Sequence, residues 1–369
     1  MTDYKELLRR MCAVMSVSGH EKRAARELLP LVEKYFDSAT VDGVGNVILL
    51  KKCGREGAPR IMLDAHFDEI GMAVSGICEG GFVKVEPSGG FDCSVLSSTE
   101  MVIYGKENVY GVFSVTPPHL AKKEDEGKRP TFDKLRIDTG YDKEELEKII
   151  SVGDPVGYRA TGCDLSCGVI AGRGFDDKSC AAALICAAAE VPADELAGDV
   201  YVVLSSREEV GGGGATCAAA AIDPDYAVVT DVNFAAAPGV EARESGKRGG
   251  GPMISLSAVT CRRLTEQIIG VAEERGIPYS PVVESSNTGT NANTLVLAGD
   301  GVPATVVSLP LGGMHTFSET LSLGDAERFI ELIGAVIRDR DIAREWREAR
   351  ERSRGVFDRL YGEGGGENE

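Results

Sequence analysis

The fold is decided by residues 60 to 71, Arg60-Ile-Met-Leu-Asp-Ala-His-Phe-Asp-Glu-Ile-Gly71. The apolar run over Arg60–Ala65 predicts a buried strand, and a polar cluster that starts at His66 follows it directly. Beyond Gly71 the chain changes to short β-like runs separated by Gly, Pro and Ser. The stretch therefore predicts a buried strand with polar side chains at its end and, directly after it, a different structural unit.

Apolar strands alternate with helical segments in the C-terminal half of the chain. The helical spacing predicts helices over Ser179–Glu190, Gly213–Ala221, Arg262–Arg275, Ala292–Ala298 and Asp325–Arg338. The strands between them are predicted over Asp199–Ser205, Tyr226–Thr230, Ser280–Val283 and Ala304–Ser308. Upstream lie two predicted helices, Tyr4–Val14 and Glu21–Phe36, and a strand over Val47–Lys51. This alternation is typical of an α/β domain with a mostly parallel sheet flanked by helices.

An all-β insert is predicted between these two parts. Short β-like runs at Phe82–Val85, Met101–Tyr104 and Val109–Val115 are separated by turn residues, and the charged stretch Lys122–Arg129 is predicted to be an exposed loop. We therefore assign residues 1–70 and 164–355 to the α/β domain, residues 71–163 to a β-barrel-like insert and residues 356–369 to a disordered tail. The Arg344–Arg354 run is interpreted as a solvated helix face.

The charge balance excludes several classes of partner. The chain has 40 Lys and Arg residues against 58 Asp and Glu residues, a formal net charge of -18, which repels phosphate backbones and anionic membrane surfaces. We expect no nucleic-acid partner and no membrane partner, since no run approaches the ~20 apolar residues of a membrane span. The ten cysteines are scattered without a disulfide-framework spacing, and no apolar signal core is found near Met1, so a cytoplasmic location is expected.

Polar residues that follow the predicted strands are candidates for a functional site, because ligands bind at the carboxyl ends of strands in open α/β sheets. This criterion selects His66, Asp68, Glu208, Glu209, Asp231 and His315, together with Asp176 just before a helix start. Carboxylates that converge in a partly buried site repel one another. Two divalent cations would neutralise them, and zinc accepts both histidine nitrogen and carboxylate oxygen. The pattern therefore predicts a pair of metal ions at this edge of the sheet.

Plainer interpretations of the same residues stay open. Glu208 and Glu209 are also consistent with a solvated loop pair, and Asp231 with a helix or turn cap. Asp177 is best interpreted as the N-cap of the helix that follows it. The combination of two histidines with several carboxylates favours the metal site over these readings.

Short motifs along the whole chain resemble one known family. The motifs are Ser16-Val-Ser-Gly-His20, Asp42-Gly-Val-Gly-Asn46, Ala65-His-Phe-Asp-Glu-Ile-Gly71, Pro117-Pro-His-Leu120, Gly174-Phe-Asp-Asp-Lys178, Glu208-Glu-Val-Gly211, Thr230-Asp-Val232 and Met314-His-Thr316. Each motif alone is weak, but eight in this order make the chain similar to the tetrahedral aminopeptidases. These dimetal metallopeptidases are also called glutamyl or deblocking aminopeptidases, and some carry an endoglucanase label. The resemblance implies a dizinc exopeptidase-like fold.

The resemblance also implies a role for each candidate ligand. His66 and Asp231 would hold one metal ion, Glu209 and His315 would hold the other, and Asp176 would bridge the two. Two divalent ions per chain are implied, and zinc or cobalt is expected.

Two further carboxylates receive roles from the same resemblance. Glu208 would be the general base that takes a proton from water, and Asp68 would orient His66 and tune its basicity. The implied reaction is the release of N-terminal residues from short peptides. A homo-oligomer is implied as well, from a dimer made by the inserted domain to a hollow dodecamer.

The chain departs from the family pattern at two places. Gly312 and Gly313 stand where relatives usually carry Arg and Tyr, so a contact to substrate or to a neighbouring subunit is expected to be missing. Asn291 stands where relatives usually carry Asp, which removes a negative charge near the site. Two alternatives stay open. These departures leave room for a non-catalytic or differently specific family member, and the endoglucanase label alone suggests a metal-free glycoside hydrolase, which would leave His66 and His315 without a role.

Overall fold

The computed structural model describes residues 3–115, 129–159 and 162–361, with side chains described as far as residue 354. Two units make up the described chain, a large helix-covered sheet and a smaller closed barrel. None of the helices in these ranges is long and apolar enough to cross a membrane. The motif Pro117–Leu120 and most of the loop predicted over Lys122–Arg129 lie outside the described residues.

Seventeen strands are present in the described residues. In chain order they are β1 (Ser38–Val41), β2 (Val47–Lys51), β3 (Arg60–His66), β4 (Gly71–Ile77), β5 (Val83–Ser88), β6 (Glu100–Tyr104), β7 (Asn108–Ser114), β8 (Arg136–Asp138), β9 (Pro155–Tyr158), β10 (Cys163–Asp164), β11 (Val169–Gly172), β12 (Asp199–Ser205), β13 (Tyr226–Phe234), β14 (Met253–Leu256), β15 (Ser280–Val283), β16 (Ala304–Gly312) and β17 (Glu319–Ser322). Strands β4 to β9 close the barrel in the order β4-β5-β8-β7-β6-β9, and the remaining eleven belong to one sheet.

The large sheet has a parallel centre, and its outer strands pair antiparallel except for β14 with β15, which are parallel. Its strand order is β1-β2-β12-β3-β13-β16-β17-β11-β10, with β14 pairing with β15 and β16. The central neighbours β12, β3, β13 and β16 all run parallel. Strand β3 is buried from Ile61 to His66 because it lies inside this group and is covered on both faces. The α/β class with an inserted all-β domain is confirmed, and antiparallel strands that the sequence pattern did not indicate, namely β1, β14 and β17, extend the sheet.

Helices cover both faces of the sheet. In chain order they are α1 (Tyr4–Ala13), α2 (Glu21–Val32), α3 (Lys143–Ile149), α4 (Phe175–Glu190), α5 (Gly213–Ile222), α6 (Arg262–Arg275), α7 (Ala292–Leu295), α8 (Leu323–Val336) and α9 (Arg340–Tyr361). Helices α1, α4, α6 and α8 share a hydrophobic core with Ile61 and Leu63 of β3, whereas α5 and α7 share the opposite core with Met62. Successive strand residues point to opposite faces, so β3 contributes to both cores and is fixed from both sides.

The strands locate the junctions between the two units. The barrel strands run from Gly71 to Tyr158, within the span predicted for the insert. Cys163, which the sequence division put in the insert, pairs instead with β11 of the large sheet. Helix α9 continues to Tyr361, so the first residues of the segment expected to be a tail are helical, and residues 362–369 lie outside the described chain.

The Arg344–Arg354 run is not simply a solvated face, and that interpretation is corrected here. Arg350 is 6 % exposed, and its guanidinium lies 2.7 Å from a carboxylate oxygen of Asp223 and 2.6 Å from one of Asp300. Ala343 on the same helix is fully buried. One face of α9 packs on the domain, and the two carboxylates neutralise the arginine that this packing buries.

Candidate metal centre

The carboxyl ends of the parallel strands meet at one edge of the large sheet. His66 is the last residue of β3, Glu209 follows the end of β12 and His315 follows β16. Asp231 lies within β13, which continues past this residue instead of ending before it as the sequence predicted. Because neighbouring parallel strands end side by side, the side chains selected from the sequence converge here.

One group of possible metal ligands consists of His66, Asp176 and Asp231. The Nε2 atom of His66 lies 3.0 Å from Oδ1 of Asp176 and 3.7 Å from Oδ1 of Asp231. All three residues are buried, and one ligand atom from each lies within 4.8 Å of the others. One nitrogen and two oxygens at this spacing can share a single cation.

A second group shares Asp176 with the first. The Nε2 atom of His315 lies 3.3 Å from Oδ2 of Asp176 and 3.4 Å from Oε2 of Glu209. The two oxygens of Asp176 therefore face different histidines, Oδ1 toward His66 and Oδ2 toward His315. The His315 side chain is 39 % exposed, against 1 % for His66. The second group is thus the one that opens to solvent.

The backbone at the start of α4 directs Asp176 into the site. Asp176 (φ -77°, ψ 108°) and Asp177 are not helical although they lie within the span of α4, and the peptide bond between them is cis. The Oδ1 atom of Asp177 accepts a hydrogen bond from the N–H of Cys180 at 3.3 Å, which confirms its interpretation as a cap. Asp177 therefore caps the regular part of the helix, and Asp176 faces the two histidines.

Asp68 contacts His66 through its main chain rather than its side chain. The Nδ1–H of His66 donates to the backbone carbonyl of Asp68 at 2.9 Å, whereas the nearest Asp68 carboxylate oxygen is 3.6 Å away. This bond leaves Nε2 of His66 available for a cation. The Asp68 carboxylate instead accepts hydrogen bonds from the Ser18 hydroxyl at 2.6 Å and from the backbone N–H groups of Glu208 at 3.1 Å and Glu209 at 3.4 Å. It holds the segment that carries both glutamates.

The site retains protons when no cation neutralises it. Burial, together with the carboxylates of Asp231 and Asp176, raises the pKa of Glu208 to about 8. Burial and Asp176 raise the pKa of Glu209 to about 10. Burial lowers the pKa of His66, but Asp176 and Asp231 together hold it well above its ordinary value. These groups bind protons because the buried carboxylates repel one another when no cation neutralises them. Such a donor set fits a site for divalent cations.

The sequence pattern of the M42 glutamyl aminopeptidase family matches residues 45–332. This chain belongs to that family. The resemblance to the tetrahedral aminopeptidases is thereby confirmed, and as an M42 member the chain is a peptidase, a hydrolase that acts on peptide bonds. A lysyl aminopeptidase from Pyrococcus furiosus is 30% identical over 344 residues, which covers 92% of this chain and 98% of that protein.

Solved structures of similar proteins have the same overall fold. A TET aminopeptidase from a marine-sediment Thaumarchaeota archaeon superposes with a TM-score of 0.86 at 29% identity, covering 93% of this chain and 98% of that chain. The TET1 peptidase of Pyrococcus horikoshii gives a TM-score of 0.79 at 31% identity, covering 91% of this chain and 99% of that chain. That peptidase is described as able to assemble into a tetrahedron or a large octahedral shell. This chain therefore shares the fold of these aminopeptidases.

The inserted barrel borders the candidate metal centre of this M42 chain. A Cβ atom added at Gly90, in the segment after β5, would lie 3.4 Å from Nδ1 of His315, so the backbone there packs against the imidazole. Tyr158 at the end of β9 approaches Phe317, with ring centroids 6.3 Å apart. The insert thus forms one wall beside the exposed histidine.

At Asn291, where relatives usually carry Asp, the side chain contacts a buried carboxylate of β3. The side-chain amide of Asn291 donates to Oδ2 of Asp64 at 2.9 Å and to the Ser205 hydroxyl at 2.9 Å. Asp64 belongs to β3 and is fully buried, and burial raises its pKa to about 7. Asn291 therefore places a neutral amide against the Asp64 carboxylate, and the loss of a negative charge at position 291 stays a prediction.

At Gly312, where relatives usually carry Arg, the side chains of Thr320 and Arg248 occupy the space that a side chain would need. A Cβ atom added at Gly312 would lie 2.5 Å from Oγ1 of Thr320 and 2.8 Å from Nη2 of Arg248. The guanidinium of Arg248 donates to Oγ1 of Thr320 at 2.9 Å. An arginine side chain therefore lies beside this position, although it comes from the loop between β13 and β14.

Two buried acidic residues beside the candidate metal ligands were missed by the strand-end criterion. Glu69 lies 3.2 Å from Arg173 and 3.4 Å from Lys178 in a buried ion-pair group. Glu319 begins β17, and its carboxylate accepts backbone hydrogen bonds from two segments that carry candidate metal ligands. The sequence offered a signal for Glu69, which lies in the polar cluster after β3. It offered none for Glu319, because β17 was not predicted.

The metal-free protein is expected to lose stability as the pH rises. Burial raises the pKa of folded Glu208 to about 8 from an ordinary value of 4.5, so the folded state binds a proton that the unfolded chain releases. This stabilisation is complete below about pH 4.5 and is lost as the pH rises through about 8. The thermal midpoint in chelator should be at least about 3 °C lower at pH 8 than at pH 5.

Zinc-loaded protein is the control for this measurement. Its midpoint should change less over the same pH range, because bound cations replace the protons that the carboxylates otherwise retain. Parallel pH curves with and without zinc would contradict the expected link between protons and cations.

Proposed function

We propose that this M42 member is an aminopeptidase that uses two divalent metal ions to release N-terminal residues from short peptides. The observation that carries the proposal is the division of the Asp176 carboxylate between two ligand groups. Its Oδ1 lies 3.0 Å from Nε2 of His66, and its Oδ2 lies 3.3 Å from Nε2 of His315. A carboxylate with one oxygen toward each site is suited to hold two cations close enough to act on one bond.

The donor set favours zinc or cobalt. His66 and Asp231 would hold one ion, His315 and Glu209 would hold the other, and Asp176 would serve both. Imidazole nitrogens combined with carboxylate oxygens are ligands that such ions prefer. When bound, the two ions supply Lewis-acid polarisation of the scissile carbonyl and a lowered pKa for water.

Glu208 is the proposed general base. Burial and the nearby carboxylates raise its pKa to about 8, and added positive charge in the site would bring this value toward neutrality, where a carboxylate both accepts and returns a proton effectively. Its backbone N–H bonds to Oδ1 of Asp68 at 3.1 Å, which holds the segment in place. Glu208 would take a proton from the attacking water and deliver it to the leaving amine.

A free α-ammonium group is the proposed recognition feature of the substrate. The carboxylates of Asp176, Glu208, Glu209 and Asp231 line the site, and their oxygens would accept hydrogen bonds from a cationic amine. The names of the lysyl aminopeptidase from Pyrococcus furiosus and of the TET aminopeptidase support the same activity. We therefore favour removal of N-terminal residues over carboxypeptidase action.

The alternative functions fit the site less well. A metal-free glycoside hydrolase needs two carboxylates and no imidazole, whereas here His66 and His315 both lie against Asp176. Perturbed pKa values cluster at functional sites, so the raised pKa of the half-buried Glu208 favours a catalytic role over a non-catalytic one.

We also propose that the protein forms a homo-oligomer in the cytoplasm. The assembly described for the TET1 peptidase of Pyrococcus horikoshii supports oligomerisation. We assign the role of dimerisation domain to residues 71–163. All ten cysteines are free, which is consistent with a reducing compartment.

Removal of metal is expected to stop hydrolysis of amino-acid p-nitroanilides. The rate should fall by at least about 100-fold, because the cations supply several kcal/mol of transition-state stabilisation. Zinc or cobalt added in excess should restore it, and chelator saturated with zinc beforehand is the control. Undiminished peptidase activity in chelator would refute the metal mechanism, and metal-free cleavage of a soluble β-glucan would support the glycosidase.

A further inference from the structure

Glu319 makes three hydrogen bonds that join two separate segments of the metal centre. Its side chain is buried, with the residue 2 % exposed. The Oε2 atom accepts the backbone N–H of Phe175 at 2.7 Å and that of Asp176 at 3.2 Å. The Oε1 atom accepts the backbone N–H of His315 at 3.2 Å. One carboxylate thus contacts the main chain of the shared ligand and the main chain of the exposed ligand.

Both segments lie at irregular points of the backbone. Asp176 departs from helical geometry at the start of α4. His315 has φ +60°, in the left-handed region that few non-glycine residues adopt. The left-handed conformation of His315 persists when surrounding contacts fix it. The Glu319 carboxylate accepts a hydrogen bond from the backbone N–H of Asp176 and from that of His315.

The charge of Glu319 also fits a position beside cations. Within the described ranges, no Lys or Arg side chain forms an ion pair with it. A buried carboxylate without a cationic partner is costly. Three N–H donors compensate part of this cost, and positive charge in the adjacent ligand group would compensate more.

We propose that Glu319 is a positioning residue that ties the Asp176 segment to the His315 segment and so sets the geometry of the metal site formed by Asp176, Glu209 and His315. The inference rests on the proposed two-metal function but makes a separate claim. Glu319 bonds the main chain of Asp176, which both sites share, and that of His315, which belongs to the second site alone. In the described structure it has no bond to His66 or Asp231, the ligands that belong to the first site alone.

The substitution Glu319→Gln separates the two halves of this role. The amide oxygen can keep the bonds to Phe175 and Asp176, but the amide nitrogen then faces the N–H of His315, donor against donor. The His315 segment should therefore loosen while the Asp176 segment stays held. Metal affinity of the second site should fall by roughly 10- to 100-fold, the range observed when outer partners of metal ligands are removed.

Zinc titration of chelated, full-length protein by calorimetry measures this directly. Wild type should bind two ions, and Glu319→Gln should bind one ion with affinity within about 2-fold of wild type and the other at least about 10-fold more weakly. His315→Ala, which removes the ligand itself, is the reference for loss of the second site. Glu327→Gln, an exposed glutamate on α8, is the matched control and should bind as wild type does.

Each other outcome overturns one specific claim. Wild-type affinity at both sites of Glu319→Gln overturns the positioning role, and equal weakening of both sites makes Glu319 a general structural residue instead. A wild-type protein that binds fewer than two ions overturns the proposed two-metal function itself. Glu319→Asp, which keeps the charge but is too short for all three bonds, is titrated in parallel; if the Gln variant does not fold, wild-type binding by the Asp variant overturns the inference.

Discussion

Replacement of Glu208 by Gln should lower kcat by roughly 10²- to 10⁴-fold while the protein still binds about two metal ions per chain. The amide has nearly the shape of the carboxylate but cannot accept the proton of the attacking water. Glu208 belongs to neither ligand group, so its loss removes no metal contact. Its backbone bond to Asp68 does not involve the side chain, and the segment should therefore keep its position. Steady-state kinetics and metal analysis of the same preparation give both quantities.

The neighbouring residue supplies the sharpest comparison. Glu209→Gln makes the same chemical change one position along the chain, but Oε2 of Glu209 lies 3.4 Å from Nε2 of His315 within the second ligand group. That variant should lose metal as well as activity. Glu274→Gln, on the exposed face of α6, controls for the substitution itself and should change neither. Normal turnover by Glu208→Gln would show that another group is the base.

The strand-end residues could be predicted from sequence because their position follows from the sheet. An apolar run such as Arg60–Ala65 predicts a strand, and parallel strands bring the residues after them to one edge. His66 and Asp231 come together by this rule alone, since β3 and β13 pair in parallel. The family resemblance added which ligands would share a metal ion, because strand positions alone do not give this information.

Other features depended on contacts that no local pattern encodes. The direction of Asp176 follows from an irregular start to α4, and a helical pattern predicts only that a helix is present. Glu319 acts through backbone N–H groups, which every non-proline residue has, so the sequence does not identify its hydrogen-bond partners. The bond between Asn291 and Asp64 joins residues that are far apart in the sequence. The replacement of Asp by Asn at position 291 therefore did not reveal that its side chain contacts Asp64.

Replacement of Asp176 by Asn is expected to have the broadest effect, with loss of both metal ions and a fall in activity of at least about 10³-fold. Each oxygen of Asp176 faces a different ligand group, Oδ1 toward His66 at 3.0 Å and Oδ2 toward His315 at 3.3 Å. The amide replaces one oxygen by a nitrogen that donates hydrogen bonds and binds no cation, and it removes the charge that both sites share. Metal content after gel filtration should fall below one ion per chain.

Single-site variants decide whether Asp176 is shared as this geometry requires. His315→Ala removes a ligand from the second group only, so it should retain about one ion, bound by the first group. Asp177→Asn changes the adjacent carboxylate, whose Oδ1 caps α4, and Asn is as good a cap as Asp, so both ions should stay bound. If Asp176→Asn kept one ion with wild-type affinity, Asp176 would serve a single site. The two histidines would then belong to independent centres, and a mechanism in which both cations act on one peptide bond would lose its structural basis.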